Sequence, residues 1–476
     1  MATHRISYAT ELGWANGEAP SKMAGTPATQ DPASVGIDNF RNIGELCTGF
    51  SSTEVGTATV SDNITIMKVM SVWDGTTITR EVFGYGSAGR LYRITDATTP
   101  VVTLCDGAAK TNNVDGLEAF GTYIYYAQQT QIGRFGPLNA VSPSGTDNYL
   151  TGLTATVNGQ TITHPLLKFK GDLLVGDGNK IKAAPVGASP LVTRLQLTTG
   201  YVVTALKDYG NFVLIGAGPE TVVDTQTKVV ASLFLWNTTV SGTTESSVTA
   251  PTQEIVFPEP YIHNIQVMND EVYVFGLNYL YKLSGSAFKI VTKLDCRVGP
   301  GGADVNRGQL WFKGSDDIRA IGTPDPQLPV SRYRPYGGTG TSLTAIKWVQ
   351  DAKLLVADNN NLNEFKAGSQ TTKTWKSRMI SFSKQEMIEE VRVYLGANLA
   401  SGDDVRIQLA DEVGNLTTIA TFDFATYGAV NELTLKAHQL TNPIAHRSAM
   451  QICVLFQAGV VRVREVVVTT KPVAQP

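Results

Sequence analysis

In the stretch Leu167-Lys-Phe-Lys-Gly-Asp-Leu-Leu-Val-Gly-Asp177, an alternating strand leads into a turn at Gly171-Asp172 and then into a denser apolar strand. Alternation is typical of a strand with one buried face, and a continuous apolar run is typical of a strand buried on both faces. The pattern recurs in Leu206-Lys-Asp-Tyr-Gly-Asn-Phe-Val-Leu-Ile-Gly216, Ile265-Gln-Val-Met-Asn-Asp-Glu-Val-Tyr-Val-Phe275 and Ile346-Lys-Trp-Val-Gln-Asp-Ala-Lys-Leu-Leu-Val356. We expect each stretch to form the first two strands of one repeating β-unit.

Apolar runs of this kind start seven times between about Thr59 and Gly368, at intervals of 38 to 60 residues. They are Val82-Phe-Gly-Tyr85, Tyr123-Ile-Tyr-Tyr126, Leu173-Leu-Val175, Phe212-Val-Leu-Ile215, Val272-Tyr-Val-Phe275, Leu310-Trp-Phe312 and Leu354-Leu-Val356. In most copies a third, alternating strand follows. This interval fits the four-stranded blade of a β-propeller with insertions in its loops. The sequence therefore predicts a degenerate β-propeller over residues 56–370, with about six to eight blades.

The pattern changes after about Gln370. Seven short strands with period-2 alternation follow, among them Val391-Arg-Val-Tyr-Leu395 and Val405-Arg-Ile-Gln-Leu409. Such strands at short, even spacing predict a C-terminal antiparallel β-sandwich over residues 371–476. Helical periodicity is nearly absent, and its one short candidate is Lys384 to Glu390.

The first 55 residues differ from both regions. Gly, Ala, Pro, Ser and Thr dominate from Asn16 to Val35, and apolar residues are sparse. A segment of this composition cannot bury itself, so residues 1–55 are predicted to form an extended N-terminal arm. The whole chain is therefore expected to be all-β: an arm, a propeller and a sandwich.

Composition narrows the possible functions. The 476 residues carry 39 Lys and Arg against 42 Asp and Glu, a formal net charge of −3, so no bulk positive charge is available to hold a polyanion. The four cysteines lie far apart and none belongs to a C-x-x-C pair. The N-terminus lacks an apolar core segment and no window approaches 18 apolar residues. We therefore expect no signal peptide, no membrane span and synthesis in a cytoplasm.

The templates for catalysis and ligand binding each lack an essential residue. The glycine-rich stretch Arg297-Val-Gly-Pro-Gly-Gly302 has no P-loop lysine, and Tyr85 stands where a nucleophile elbow around Ser87 needs glycine. Asp358-Asn-Asn-Asn-Leu-Asn-Glu364 departs from the order of a calcium loop, and the five histidines never pair at metal-ligand spacing. The sequence thus predicts no catalytic, metal-binding or cofactor-binding residue, no cofactor, and no enzyme.

Two weaker patterns leave alternatives open. Asp177, Asp316, Asp317 and Asp358 follow or end strands, as carboxylates of a glycan-binding or glycan-cleaving propeller would, but nothing shows that they converge. Ser331-Arg-Tyr-Arg-Pro-Tyr336 and Lys373-Thr-Trp-Lys-Ser-Arg378 interleave basic and aromatic side chains. Such patches stack on nucleic acids or pack within loops, and packing is the favoured interpretation.

Three further stretches fit this organisation: Gly36-Ile-Asp-Asn-Phe-Arg-Asn-Ile-Gly44 in the arm, Thr374-Trp-Lys-Ser-Arg378 where the sandwich begins, and Arg462-Val-Arg-Glu-Val-Val-Val468 where it ends. With the arm, propeller and sandwich, they give a chain that resembles the tail nozzle or hub (tail tubular) proteins of short-tailed bacteriophages. The resemblance covers most of the chain. It implies a structural virion protein, made in the bacterial host cytoplasm, that forms a hexameric ring and carries no catalytic residue.

The same resemblance implies the partners. A nozzle would contact the portal-adaptor and the tail-fibre or other tail proteins, and DNA would pass through its channel during genome ejection without specific binding. Trp14, Phe40 and Trp375 are the candidate anchors of the assembly interface, and packing within the chain is the alternative for the two arm residues. The other functional hypotheses are a carbohydrate-binding receptor or decoration protein of a virion, a tail-fibre anchor, and a glycan-processing enzyme.

Overall fold

The structure is a computed structural model. It describes residues 4–8, 37–38, 46–48, 50–55, 60, 62–73, 76, 78–97, 100–105, 116–140, 142–185, 191–219, 230–237, 250–315, 317–322, 331–337, 342–350, 353–358, 361–367, 373–377, 380–410, 415–441 and 447–473.

The described N-terminal stretches are short strands. They are β1 (His4–Tyr8), β2 (Ile37–Asp38), β3 (Leu46–Thr48) and β4 (Phe50–Glu54). The strands β1 and β3 pair antiparallel with the last strand of the chain, β3 also pairs with β2, and β4 joins a sheet of the region predicted to be a propeller. These described stretches of the predicted extended arm are therefore extended strands of the chain's own sheets. The physical reason is that a sheet edge offers unpaired N–H and C=O groups that a neighbouring extended segment satisfies.

Consecutive strands then form four-stranded sheets. The first two sheets contain β5 (Ile64–Trp73), β6 (Ile78–Gly86), β7 (Leu91–Thr95) and β8 (Val102–Leu104), and then β9 (Leu117–Phe120), β10 (Tyr123–Ala127), β11 (Gln131–Gly136) and β12 (Ser144–Thr151). A two-stranded hairpin follows, made of β13 (Thr156–Val157) and β14 (Gln160–Thr161).

The next three sheets repeat the pattern. They contain β15 (Leu166–Phe169), β16 (Asp172–Asp177), β17 (Lys180–Pro185) and β18 (Val192–Gln196); β19 (Tyr201–Tyr209), β20 (Phe212–Pro219), β21 (Ala231–Asn237) and β22 (Gln253–Phe257); and β23 (Asn264–Met268), β24 (Glu271–Phe275), β25 (Tyr279–Ser284) and β26 (Ala287–Lys293).

The sixth sheet contains β27 (Ala303–Asn306), β28 (Gln309–Lys313), β29 (Asp317–Gly322) and β30 (Ser331–Gly337). The seventh contains β31 (Leu343–Gln350), β32 (Lys353–Asp358), β33 (Asn361–Ala367) and, as its fourth strand, β4. Within the part of the chain that the structure describes, seven sheets thus have four strands each. Their first strands β5, β9, β15, β19, β23, β27 and β31 lie beside one another in this order, and β31 lies beside β5.

Each of the seven apolar runs found in the sequence lies in the second strand of one of these sheets. The second strands are mostly buried along their length, as in β16 and β20, because each is flanked by hydrogen-bonded strands and packs on both faces. The fourth strands are more exposed, as β26 shows. The predicted all-β class with propeller-like sheets is therefore confirmed.

The C-terminal strands form a different arrangement. They are β34 (Lys373–Lys376), β35 (Ile380–Leu395), β36 (Asp404–Ala410), β37 (Leu416–Asp423), β38 (Glu432–Lys436), β39 (Arg447–Ala458) and β40 (Arg462–Pro472), with the short helix α1 (Phe424–Tyr427) and a 3-10 turn at Ala437–Gln439. With β1, β2 and β3 they make one ten-stranded hydrogen-bonded network in the order β2-β3-β40-β35-β39-β36-β37. The helical candidate Lys384 to Glu390 lies inside β35, where pairing with β39 and β40 overrides local periodicity.

The chain divides into two compact units. The sheet unit is Thr53–Asp316 with Thr339–Phe365, and the C-terminal unit is Met1–Ser52, Asp317–Gly338 and Lys366–Pro476. The boundary at Lys366 lies close to the predicted one at residues 370 and 371, whereas the grouping of residues 1–52 and 317–338 with the C-terminal strands was not predicted. In the sheet unit, hydrophobic clusters fill the spaces between successive sheets. The C-terminal unit has its own core, centred on strands β35, β36, β39 and β40.

Candidate functional site

The first strands of the seven sheets each carry one polar residue at an equivalent position. Each pairs in register with a buried residue of the second strand, for example Lys68 with Phe83 and Lys207 with Leu214. We call this set the polar layer; its members are Lys68, Glu118, Lys168, Lys207, Gln266, Asp304 and Lys347.

Strand alternation explains the polar layer. Each member follows an apolar residue that is buried or partly buried between sheets, such as Leu117 before Glu118 and Ile346 before Lys347. Because successive side chains of a strand point to opposite faces, the polar residue turns away from that packing. Four of the seven members stand in the stretches quoted at the start of the sequence analysis. The sequence showed that these residues are polar, but it did not show that the fold brings them close to one another.

A cavity of about 260 Å³ lies in the sheet unit beside the polar layer. Its walls come from β5, β9, β15, β19 and β23, with Pro300 from a connecting loop. Its charged and amide lining comprises Lys68, Glu118, Lys168, Lys207, Asp208, Asn264 and Gln266.

Two lysines of the polar layer are neutralised by carboxylates of adjacent sheets. Lys68 Nζ lies 2.9 Å from Glu118 Oε2, and Lys347 Nζ lies 2.9 Å from Asp304 Oδ1. Burial lowers the pKa of the Lys68 ammonium, but Glu118, with smaller contributions from Asp304 and Asp208, holds that pKa above its ordinary value. Asp304 also accepts a hydrogen bond from the Trp348 backbone N–H.

The other two lysines lack such neutralisation. Lys207 Nζ lies 3.8 Å from Asp208, a residue on its own strand whose side chain is 60% exposed. Burial lowers the pKa of Lys207, and the charges of Lys68 and Lys347 lower it further while Asp208 opposes them. Within the described part of the chain, Lys168 has no ion-pair partner, and its side chain is exposed. The arrangement therefore places excess positive charge around Lys168 and Lys207.

His263 lies beside the same cavity, just before β23. Its ring packs near Tyr261, and its backbone N–H donates to the Phe275 carbonyl. Burial, with a smaller contribution from the Arg297 charge, lowers the pKa of His263 from 6.5 to about 4. The imidazole is therefore neutral in the folded protein at pH 7.

This shift predicts a pH dependence of stability. Between pH 6.5 and about 4 the unfolded chain binds a proton at His263 that the folded protein does not bind, so stability falls as the pH falls through this window. The neutral variant His263→Gln should lose less stability between pH 7 and pH 4, by on the order of 2 kcal/mol. Denaturant unfolding at several pH values measures this difference. Parallel pH profiles for the two proteins would contradict it.

The carboxylates considered for glycan chemistry have separate structural partners. Asp177 ends β16, accepts a hydrogen bond from the Thr154 backbone N–H at 2.8 Å and pairs with Lys182 at 2.5 Å. Asp317 pairs with Arg319 at 3.0 Å, Asp358 ends β32 in another sheet, and Asp316 lies outside the described residues. No two of the three described carboxylates come from the same sheet.

An aromatic cluster on the second sheet packs against an arginine of the same sheet. The Arg134 guanidinium lies 4.2 Å from the ring centroid of Tyr123 and 3.7 Å from that of Tyr149. Tyr125 packs between them and is buried. The cation thus covers one face of the Tyr123 ring and one face of the Tyr149 ring.

The two basic-aromatic stretches and the glycine-rich loop form backbone hydrogen bonds within the fold. Ser331–Gly337 is strand β30, paired with β29, and Lys373–Lys376 is β34, paired with β39. In the glycine-rich loop, Gly299 O accepts from Asn264 Nδ2 at 2.7 Å and Gly301 O accepts from the Ile346 backbone N–H at 2.8 Å. The loop thus ties β23 and β31 together.

The proposed assembly anchors fall in two categories. Trp14 and Phe40 lie outside the described residues. Trp375 is 1% exposed and belongs to the core of the C-terminal unit, with its backbone in register with Val454 of β39. Its packing within the chain accounts for its burial, and an assembly role for the three residues stays a prediction.

Within the described ranges, no three His, Cys, Asp or Glu side chains are grouped so that they could hold a metal ion. In the same part of the chain, no helix has both the length and the apolarity to span a membrane.

These observations define the class of fold: an all-β chain whose four-stranded sheets follow one another in a propeller-like cycle. The sequence matches no known protein-family model, and no curated protein matches it significantly. Among solved structures, the WD40 β-propeller domain of Doa1 is similar over 67% of this chain and 97% of its own, with 12% identity and a TM-score of 0.45. YCF48 from Cyanidioschyzon merolae is similar over 66% of this chain and 98% of its own, with 10% identity and a TM-score of 0.42.

Proposed function

We infer that the seven four-stranded sheets are the blades of a seven-bladed propeller. The cycle of first strands, with β31 beside β5, supports this interpretation. The composition of the seventh sheet also supports it: β4, which precedes the first sheet in the chain, pairs with β33, which ends the last sheet. A blade built from both ends of the propeller segment closes the ring.

We infer in addition that the C-terminal strands form a two-layer sandwich. One core cluster contains Val391 and Val466, from the paired strands β35 and β40, together with Ile407 and Phe422, from the paired strands β36 and β37. Apolar side chains from these two strand pairs meet in one core when two layers face each other.

We propose that this chain is a structural, non-catalytic protein of a bacteriophage tail, a nozzle or hub that assembles as a ring of six subunits in the virion. In this role it contacts the portal-adaptor and the tail-fibre or other tail proteins, and DNA passes through the ring without specific binding. The sequence resemblance and the near-balanced charge support the proposal.

The structural observation on which the proposal rests is the strand β1. It pairs with β40 from His4 opposite Thr470 to Tyr8 opposite Val466, on the edge that β35 leaves uncovered. A terminal strand bound to a sheet edge is a fastening device, because the same hydrogen bonds form when the strand comes from a neighbouring subunit. Exchange of β1 between subunits would connect them into a ring.

Removal of residues 2–31 tests this role. We expect the truncated protein to assemble at least tenfold more weakly, because the β40 edge from Val466 to Thr470 loses its partner strand. The sheet unit should keep its thermal transition, since its hydrophobic clusters contain no residue of the deleted segment. Sedimentation and light scattering measure the assembly, and differential scanning calorimetry measures the transition.

A matched control deletes only residues 2–3 and leaves β1 in place. This control should assemble like the full chain. A truncated protein that forms rings of unchanged mass and stability, or virion imaging that places isolated monomers on the capsid surface, would overturn the proposed function.

A further inference from the structure

We propose that the cavity at the polar layer binds a small phosphate-class anion through Lys168 and Lys207. This inference does not depend on the tail role proposed above. It concerns residues of the sheet unit alone, and it assigns the cavity a ligand that no feature of the assembly requires.

Lysines outnumber carboxylates in the polar layer. The polar layer holds four lysines and two carboxylates, and both carboxylates already form ion pairs at 2.9 Å, with Lys68 and with Lys347. Lys168 and Lys207 come from adjacent sheets, since β15 lies beside β19. Asp208 lies 3.8 Å from Lys207 and is largely exposed, and Glu118, which lines the same cavity, is paired with Lys68. One cavity is therefore lined by Lys168, which has no ion-pair partner within the described residues, and by Lys207, whose partner Asp208 is 60% exposed.

The environment of Lys207 disfavours its positive charge. The charges of Lys68 and Lys347 and burial all lower the pKa of Lys207, so the folded protein holds this ammonium at an electrostatic cost. A bound anion would reduce this cost, because it supplies the negative charge that Asp208 provides only weakly. A cation would increase the cost, and its carboxylate ligands are already paired.

The size of the cavity limits the size of the anion. Its volume of about 260 Å³ lies below the ~300–1,000 Å³ of pockets that take drug-sized ligands. The space suits an ion of phosphate or pyrophosphate size. Lysine is a common point-charge partner of phosphate oxygens. The Gln266 amide already donates to Asn264 Oδ1 and to the Ala303 carbonyl, so the two lysines are the groups that bind the anion.

Binding of pyrophosphate to the full-length chain tests the inference by isothermal titration calorimetry. We expect wild-type protein to bind pyrophosphate with a Kd below about 1 mM, and more weakly as salt is added. Lys168→Met and Lys207→Met should each weaken binding at least tenfold. The control Lys289→Met, on the exposed fourth strand β26, should bind like wild type.

A stability measurement separates binding from folding. Without ligand, Lys207→Met should be as stable as wild type or more stable, because it removes a charge that burial and two lysines disfavour. Loss of pyrophosphate binding together with unchanged or raised stability supports the site. Absence of pyrophosphate binding to wild type at millimolar concentration, or equal binding by the double variant Lys168→Met/Lys207→Met, would overturn it.

Parallel titrations distinguish the source of the anion. Inorganic phosphate and pyrophosphate represent free ions, and a nucleoside monophosphate represents a phosphate ester. Tighter binding of the free ions would match the small cavity. If the ester alone bound, the assignment of a small free anion would be wrong.

Discussion

Gly301→Ala is expected to destabilise the sheet unit by about 3 kcal/mol. A Cβ atom at this position would lie 2.1 Å from the Thr65 carbonyl oxygen and 2.5 Å from the Ile66 Cα, both backbone atoms of β5. Backbone atoms of a hydrogen-bonded strand cannot move aside as a flexible side chain can, so the loop or the strand must shift. Thermal unfolding should show a Tm lower by roughly 6–12 °C.

Gly299→Ala is the matched control from the same loop. A Cβ atom at Gly299 would meet nothing within 4 Å. We therefore expect a Tm close to that of the wild type. Equal effects of the two substitutions would show that loop flexibility, and not the close approach of Gly301 to β5, determines the stability of this region.

Glu259→Ala is expected to cost on the order of 3 kcal/mol or more. Glu259 is 1% exposed, and its carboxylate accepts hydrogen bonds from the backbone N–H groups of Leu277, Asn278 and Tyr279 and from the Tyr281 hydroxyl at 2.9 Å. Alanine would leave these donors without their acceptor in the turn between β24 and β25. The turn would have to open to water, and the fifth sheet would lose its order there.

Two comparisons isolate this effect by chemical denaturation. Glu259→Gln keeps one acceptor oxygen and should fall between the wild type and the alanine variant. Glu271→Ala removes an acid of the same sheet that is 39% exposed, pairs with Lys282 and accepts one hydrogen bond, from the Tyr273 hydroxyl, so its effect should be smaller than that of Glu259→Ala. If Glu259→Ala were no more destabilising than Glu271→Ala, the carboxylate would have no role in holding the turn.

Asp62 holds another turn in the same way, before the first sheet. It accepts hydrogen bonds from the Ser87 hydroxyl at 2.9 Å and the Ala88 backbone N–H at 2.8 Å, in the turn between β6 and β7. Asp62 precedes β5, the first strand of its sheet, yet its carboxylate binds the turn between β6 and β7, about 25 residues later in the chain. Such a link has no fixed sequence spacing, so local patterns could not reveal it.

The sequence alone determined the all-β class and the positions of the second strands. Runs such as Phe212-Val-Leu-Ile215 specify their own burial, because a strand packed on both faces must be apolar throughout. This information is local, and it survives the weak similarity between the copies. The same local information placed a change of architecture near residue 370.

Only the tertiary structure decided which distant segments meet. The pairing of β4 with the sheet of β31–β33, and of β1 with β40, joins the two ends of the chain through backbone hydrogen bonds, which carry no side-chain signature. Strand alternation likewise placed Lys68, Lys207 and Lys347 on the polar faces of their strands, but it did not show what those faces contact. Whether they face solvent or a shared cavity depends on how the sheets pack around one another, and that arrangement gives the polar layer its charge.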